Sequence, residues 1–112
     1  MLNDNCLFCK IIKGEIPSIR VYEDDVSLVF KDIEPKAPVH LLAVPKTHFG
    51  LLSKAGVEGS VMLSYLLKKI PGIAAENGCE NGYRLIINQG EDGGQTVPHL
   101  HVHILGGEPL MW

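Results

Sequence analysis

Apolar and polar positions alternate over residues 18–23, where Ile19 and Val21 interleave with Arg20 and Tyr22. A period of two predicts a strand. Asp24 and Asp25 read as a turn, and residues 26–31 as the hairpin partner. Residues 32–38 hold two prolines and break the sheet. Residues 39–44, VHLLAV, are nearly all apolar, the signature of a central strand covered on both faces. Pro45 ends it, and residues 46–48 form a loop.

The period then lengthens. Over residues 60–77, Met62, Tyr65, Leu66, Ile70, Ile73 and Ala74 fall three or four apart and form one apolar stripe, with Lys68, Lys69 and Glu76 largely opposite. That is a helix, stopped by Gly78. Pro71 interrupts it, so the helix either bends there or breaks in two. Residues 49–58 are ambiguous and have room for a short helical turn. Residues 83–88 and 97–105 return to strand patterns, the second closed by Gly106 and Gly107. Upstream, residues 6–12, CLFCKII, suit a turn or a one-turn helix before Gly14 and Pro17. The short connections at 24–25 and 89–96 favour antiparallel pairing. The expected fold class is α+β: a five-stranded antiparallel sheet with one principal helix on one face, the other face left for a site.

At 112 residues the chain holds one domain. Ten Lys and Arg against thirteen Asp and Glu give a net charge of −3, with no basic run and no aromatic-basic interleaving. A nucleic-acid polymer is therefore not an expected partner, whereas a single nucleotide in a locally positive pocket is. No apolar run is long enough to cross a bilayer, and the opening MLNDNCLFCK does not read as a signal peptide. The expected location is the cytoplasm, where three cysteines do not make a disulfide framework.

The chemistry concentrates in residues 88–107, NQGEDGGQTVPHLHVHILGG. His99, His101 and His103 alternate with Leu100, Val102 and Ile104, so the imidazoles leave one face of a strand and the apolar side chains the other. Alternate positions lie about 7 Å apart along a strand, too far for three rings to share one metal comfortably. The spacing suits division of labour along an extended substrate. The glycine-rich loop before them can offer amides near Gly94 and Val97, and the Thr96 hydroxyl, to an anion. A neutral imidazole is a competent nucleophile towards phosphorus once its tautomer is fixed, by a backbone carbonyl or by another histidine such as His40. Cys6 and Cys9 have the C-x₂-C spacing of half a zinc site; free thiols or a redox pair are the alternatives.

Residues 99–105, HLHVHIL, match the histidine-triad motif. With the flanks GYRLIINQGEDGGQ and APVHLLAVPKTH, the chain resembles the nucleotide-binding Hint-type phosphoramidases of the histidine-triad (HIT) family over nearly its whole length. The resemblance implies a single HIT domain over 1–112 with an N-terminal C-x₂-C segment and a C-terminal tail, and a homodimer whose sheets join across the two-fold. It implies hydrolysis of purine nucleoside 5′-phosphoramidates, or of AMP-linked esters and amides, through a covalent nucleotidyl-histidine. By the same resemblance His101 is the nucleophile, His103 contacts the phosphate and bridging atom, and His99 has a supporting role. His40 is hydrogen-bonded behind the nucleophile, and Thr96 bonds the phosphoryl oxygen. Asp32 holds the ribose hydroxyls and Asn88 lies near ribose and phosphate. Phe8, Ile11, Phe30 and Ile33 wall the base, and Trp112 lies near the partner's site. Read without the resemblance, Asp32 is a turn residue, Asn88 a strand-end cap, and the apolar four simple core. The resemblance also completes a structural zinc site from Cys6, Cys9, His48 and His99. The alternatives are a nucleotide-binding regulatory module with little turnover, and dinucleoside polyphosphate hydrolysis of the Fhit-type branch.

Overall fold

The structure is a computed structural model that describes residues 2–112. Its elements are α1 (Leu7–Ile12), β1 (Arg20–Glu23), β2 (Ser27–Lys31), β3 (Val39–Pro45), α2 (Leu52–Glu76), β4 (Tyr83–Ile86) and β5 (Val102–Gly106). The five strands form one antiparallel sheet in the order β1-β2-β3-β5-β4. The nearly unbroken apolar run of β3 occupies the middle of the sheet, as a strand buried on both faces must. Pro45 is the last residue of that strand and pairs with Ser27.

Two cores lie on the two faces. Val29, Leu41, Ala43, Val102 and Ile104 meet Leu66, Ile70, Ile73 and Ala74 of α2. Leu28, Phe30, Leu42 and Val44 meet Phe8, Cys9 and Ile11 of α1. The second face is thus not left bare for a site: α1 covers part of it. This six-residue helix starts at Cys6, whose sulfur accepts the Cys9 N–H, and closes at Gly14, which takes up a positive φ of 80°. Arg20 Nη2 donates to the Ile11 carbonyl at 2.6 Å and ties α1 to β1.

The expected break at Pro71 falls elsewhere. α2 begins at Leu52, departs from helical geometry at Gly56 (φ 65°, ψ −161°) and runs through Pro71. Glycine tolerates that backbone, and Gly56 separates a first turn from the long body. Pro71 and Leu67 both face solvent, so the Leu67 carbonyl left without a helical donor is open to water. Two strands are shorter than their patterns suggest. β4 ends at Ile86, not Asn88, and β5 starts at Val102, not at residue 97. Residues 97–101 leave the ladder because Pro98 has no N–H and the Leu100 N–H donates to the Phe49 carbonyl in the loop before α2.

Candidate active site

The triad histidines still turn to one side of the chain, the α1 side. Phe8 stands edge-on to His99 and to His101, with ring centroids 5.9 and 5.0 Å away. His101 and His103 are themselves 5.0 Å apart, closer than the step of an extended strand, because the rings lean together. Leu100, Val102 and Ile104 are fully buried opposite them.

Hydrogen bonds fix each ring. His101 Nδ1 lies 2.7 Å from the His99 carbonyl oxygen. A carbonyl only accepts, so the proton is on Nδ1 and the Nε2 lone pair is free. A different chain reaches His103. The Lys36 N–H donates to His40 Nδ1 at 3.0 Å, which puts the His40 proton on Nε2. His40 Nε2 lies 2.9 Å from His103 Nδ1 and donates to it. The remaining proton of neutral His103 is then on its Nε2. His101 offers a lone pair and His103 an N–H, side by side. Burial lowers the pKa of His101 and of His40. It drives His103 down to about 4, helped by His101 and His40 and opposed by the charge of Asp32. The rings are therefore neutral near pH 7, as these assignments require.

Both rings open into a cleft of about 510 Å³. Asp32, His40, Asn88, Thr96 and Val97 line it near the histidines. Phe8, Ile11, Phe30 and the exposed Ile33 supply apolar wall, and Trp112 stands at the rim. Asp32 Oδ1 accepts the Glu34 N–H at 2.8 Å, and Oδ2 lies 3.4 Å from His40 Nε2.

A second cluster stands behind the first. His99 is fully buried and donates from Nε2 to the Pro45 carbonyl at 2.9 Å, leaving Nδ1 as a lone pair. That nitrogen lies 3.3 Å from Cys6 Sγ, 3.5 Å from Cys9 Sγ and 3.2 Å from His48 Nδ1, and Cys9 Sγ lies 3.4 Å from His48 Nδ1.

Residues 13–110 match the HIT domain family. The chain belongs to the HIT family. It is 48% identical to a histidine triad protein from Clostridium difficile of solved structure, over 98% of this chain and 96% of that one, with a TM-score of 0.93. A HIT family hydrolase from Legionella pneumophila is 46% identical over 96% of this chain and 97% of its own, with a TM-score of 0.89. A 14 kDa zinc-binding protein from Zea mays is 49% identical over 95% of this chain and 84% of its own.

Within this HIT chain the Cys6, Cys9, His48 and His99 set passes a geometric test for zinc. Tetrahedral zinc at ordinary bond lengths sets its nitrogens about 3.3 Å apart and nitrogen to sulfur about 3.5 Å, close to the separations above. The donors are the soft thiolates and imidazoles that zinc prefers. The trio Asp32, His40 and His103 also brings its donor atoms together. It fits a metal poorly, because the Lys36 amide keeps the proton on the His40 nitrogen that a metal would need.

Two sequence expectations need correcting. His40 stands behind His103; the group behind His101 is the His99 carbonyl. The Gly94 amide is not free for an anion, since it donates to the Glu91 carbonyl in a turn. Within the single chain, the Trp112 ring covers the Arg84 guanidinium at 5.3 Å, and Arg84 holds the carbonyls of Leu110 and Trp112. Asn88 lies two residues beyond β4 and donates from Nδ2 to the Gly93 carbonyl at 2.8 Å across the glycine loop while it lines the cleft.

Several supports had no sequence signal. The Lys36 amide and the Pro45 carbonyl act through backbone, which any residue carries. Gln89 Oε1 accepts the Leu52 N–H at 2.7 Å, and Gln95 Nε2 donates to the Gly50 carbonyl at 3.0 Å. Together they brace the glycine loop against the start of α2.

Proposed function

We propose that this protein hydrolyses purine nucleoside 5′-phosphoramidates, or AMP-linked esters and amides, as the Hint-type branch does, through a nucleotidyl group on His101. The observation that carries this reading is the opposed protonation of two adjacent rings, a free Nε2 on His101 beside a donating Nε2 on His103. His101 Nε2 attacks the α-phosphorus, and its Nδ1–H steadies the new positive charge on the His99 carbonyl. The P–N bond breaks with its electron pair on nitrogen, which His103 Nε2–H hydrogen-bonds and which departs as an amine on taking a proton from solvent. Water then attacks phosphorus, the pair of the P–Nε2 bond returns to His101, and the proton lost by water passes to solvent.

Thr96, Val97 and Asn88 would bind the phosphoryl oxygens, and Asp32 the ribose hydroxyls; that all four line the cleft supports these roles. The apolar wall of Phe8, Ile11, Phe30 and Ile33 suits a flat base. The Legionella relative, named a HIT family hydrolase, supports the reaction class.

Zinc is the metal we propose for Cys6, Cys9, His48 and His99, on the geometry above and on the zinc-binding maize relative. It would fasten α1 to the start of the triad segment, with no part in the bond-breaking. Among the described residues no helix is long and apolar enough to cross a membrane. Free buried thiols support a cytoplasmic location. A homodimer is proposed because β4 is an edge strand with Leu85 exposed, and an unpaired edge can join a second sheet.

The reading is tested by exposing the protein briefly to adenosine 5′-phosphoramidate, quenching in acid and weighing the intact chain. A nucleotidyl adduct located on His101 supports it; turnover that is equal in wild type and His101→Ala rejects it.

A further inference from the structure

The glycine loop is closed on itself by one side chain. Gln95 and Gly90 pair twice across its neck. The Gln95 N–H donates to the Gly90 carbonyl at 3.0 Å, and the Gly90 N–H donates to Gln95 Oε1 at 2.9 Å. The other end of the same amide reaches out of the loop: Nε2 donates to the Gly50 carbonyl at 3.0 Å and to the Val97 carbonyl at 3.2 Å. A backbone N–H only donates and a carbonyl only accepts, so these partners fix which end of the amide is oxygen and which is nitrogen. The Val97 carbonyl also accepts the His99 N–H at 2.8 Å, and the Leu100 N–H donates to the Phe49 carbonyl beside Gly50. Gln95 stands outside the cleft lining, but the next two residues, Thr96 and Val97, are part of it.

The backbone has little preference of its own for this shape, since Gly90 and Gly94 sit at φ of 73° and 78° and glycine loses more conformational freedom on folding than any other residue. A free segment would have to be ordered each time a phosphoryl group bound, and that entropy would be subtracted from affinity. We propose that Gln95 is a positioning residue for phosphoryl binding, holding Thr96 and Val97 at the cleft without touching the ligand. This rests on the nucleotide reading of the same site. The side chain bonds go to Gly50, Gly90 and Val97, none of which belongs to the apolar wall of Phe8, Ile11, Phe30 and Ile33 or to Asp32. The effect of Gln95 is therefore confined to the phosphoryl end of a nucleotide.

The test titrates AMP and adenosine, which differ only in the phosphoryl group, into wild type, Gln95→Met and Gln95→Ala, followed by NMR shifts. Both variants are neutral, and methionine keeps the length of the side chain while removing its hydrogen bonds. AMP affinity is expected to fall about tenfold, the scale of one hydrogen bond to a charged group, while adenosine affinity stays within about twofold of wild type. Without ligand, the His99 amide should exchange its hydrogen faster in the variants while the amides of β2 keep their protection. Unchanged AMP affinity overturns the inference and leaves the nucleotide reading intact. So does an equal loss for adenosine, protection lost from β2 as well, or failure of both variants to fold, each of which makes the amide a support of the fold at large. Wild type with no measurable affinity for AMP overturns the nucleotide reading and this inference with it.

Discussion

The ring of His101 and the backbone of His99 are joined by a 2.7 Å hydrogen bond from Nδ1–H to the carbonyl oxygen. The side chain of His99 meanwhile faces Cys6, Cys9 and His48. One residue therefore serves two clusters, its carbonyl aiming the candidate nucleophile and its ring closing the thiol knuckle. His101→Ala deletes the aimed lone pair. Loss of kcat of about 10⁴-fold or more is expected, of the order seen when a covalent nucleophile is removed, with little change in Tm. Steady-state kinetics and adduct mass on the same preparation check it.

The second ring depends on a relay that starts at a main-chain amide. His40→Ala removes the donor to His103 Nδ1, and His103 is then free to turn and to change tautomer. A kcat lower by about 10- to 100-fold, with KM little changed, is the expected result of a misaligned group that acts only in the transition state. Nitrogen-15 NMR of the imidazoles gives an independent readout: His103 loses its single fixed tautomer in the variant.

Metal content provides the third prediction. Cys9→Ser removes one of four donors, and the purified variant should hold much less than one zinc per chain, where wild type holds close to one. Because Cys9 is also a fully buried residue of α1, on the face that packs against the sheet, folding should suffer. A loss of about 3 kcal/mol would lower Tm by roughly 12 °C in a domain of this size. Equal zinc in both proteins, measured by mass spectrometry of the metal, removes the site.

Much of this arrangement could be read from the residues because period and chemistry coincide. The run VHLLAV marks the central strand, the stripe from Met62 to Ala74 marks the helix, and alternation in HLHVHIL puts three rings on one side. What escaped lies in the backbone. The exit of residues 97–101 from the ladder depends on Phe49, about fifty positions away, and the His40 proton depends on the amide of Lys36. Local pattern carries no information on such distant pairings. Pro71 misled for a related reason: its cost in a helix depends on whether the released carbonyl reaches water, which is a property of the packed helix. The break fell instead at Gly56, whose positive φ only glycine adopts readily.

Asp24 was legible only as a turn, and it is a hydrogen-bonding centre. Its Oδ1 accepts from the N–H of Val26, the N–H of Ser27 and the Ser27 hydroxyl, and its Oδ2 accepts from Tyr22 and Tyr65. Burial alone would raise its pKa, but these bonds outweigh it and hold the carboxyl well below the usual carboxylate range. A depressed acid stabilises the fold fully above its unfolded value of about 3.9 and loses that contribution as pH falls through the folded value. Wild-type stability should therefore decline below about pH 5, and Asp24→Asn should start less stable at pH 7 and decline less. Urea unfolding between pH 2 and 7 measures both slopes. On the alkaline side the bond to Asp24, with burial and the nearby charge, pushes Tyr65 up to about 12, so its phenolate absorbance should appear only near that pH.

The pH dependence of His103 is the last prediction, and its sign follows from what surrounds the ring. Burial lowers its pKa to about 4, with His101 and His40 adding to the effect; Asp32 is the carboxylate that opposes it. In an unfolded chain the same ring takes a proton near pH 6.5. The folded form thus resists protonation between about pH 6.5 and 4, and the unfolded chain binds the extra proton first. Stability is fully present above 6.5 and is lost as pH falls through that window. Within the folded protein the neutral ring persists to about pH 4, so the His40 donor bond and the outward N–H persist with it. Titration of the His103 ring protons by NMR should give a midpoint near 4, and replacing Asp32 by Asn should lower it further by removing the one opposing charge. A midpoint near 6.5 in the folded protein would mean that the ring is solvated and that the relay from Lys36 through His40 does not hold its proton in place.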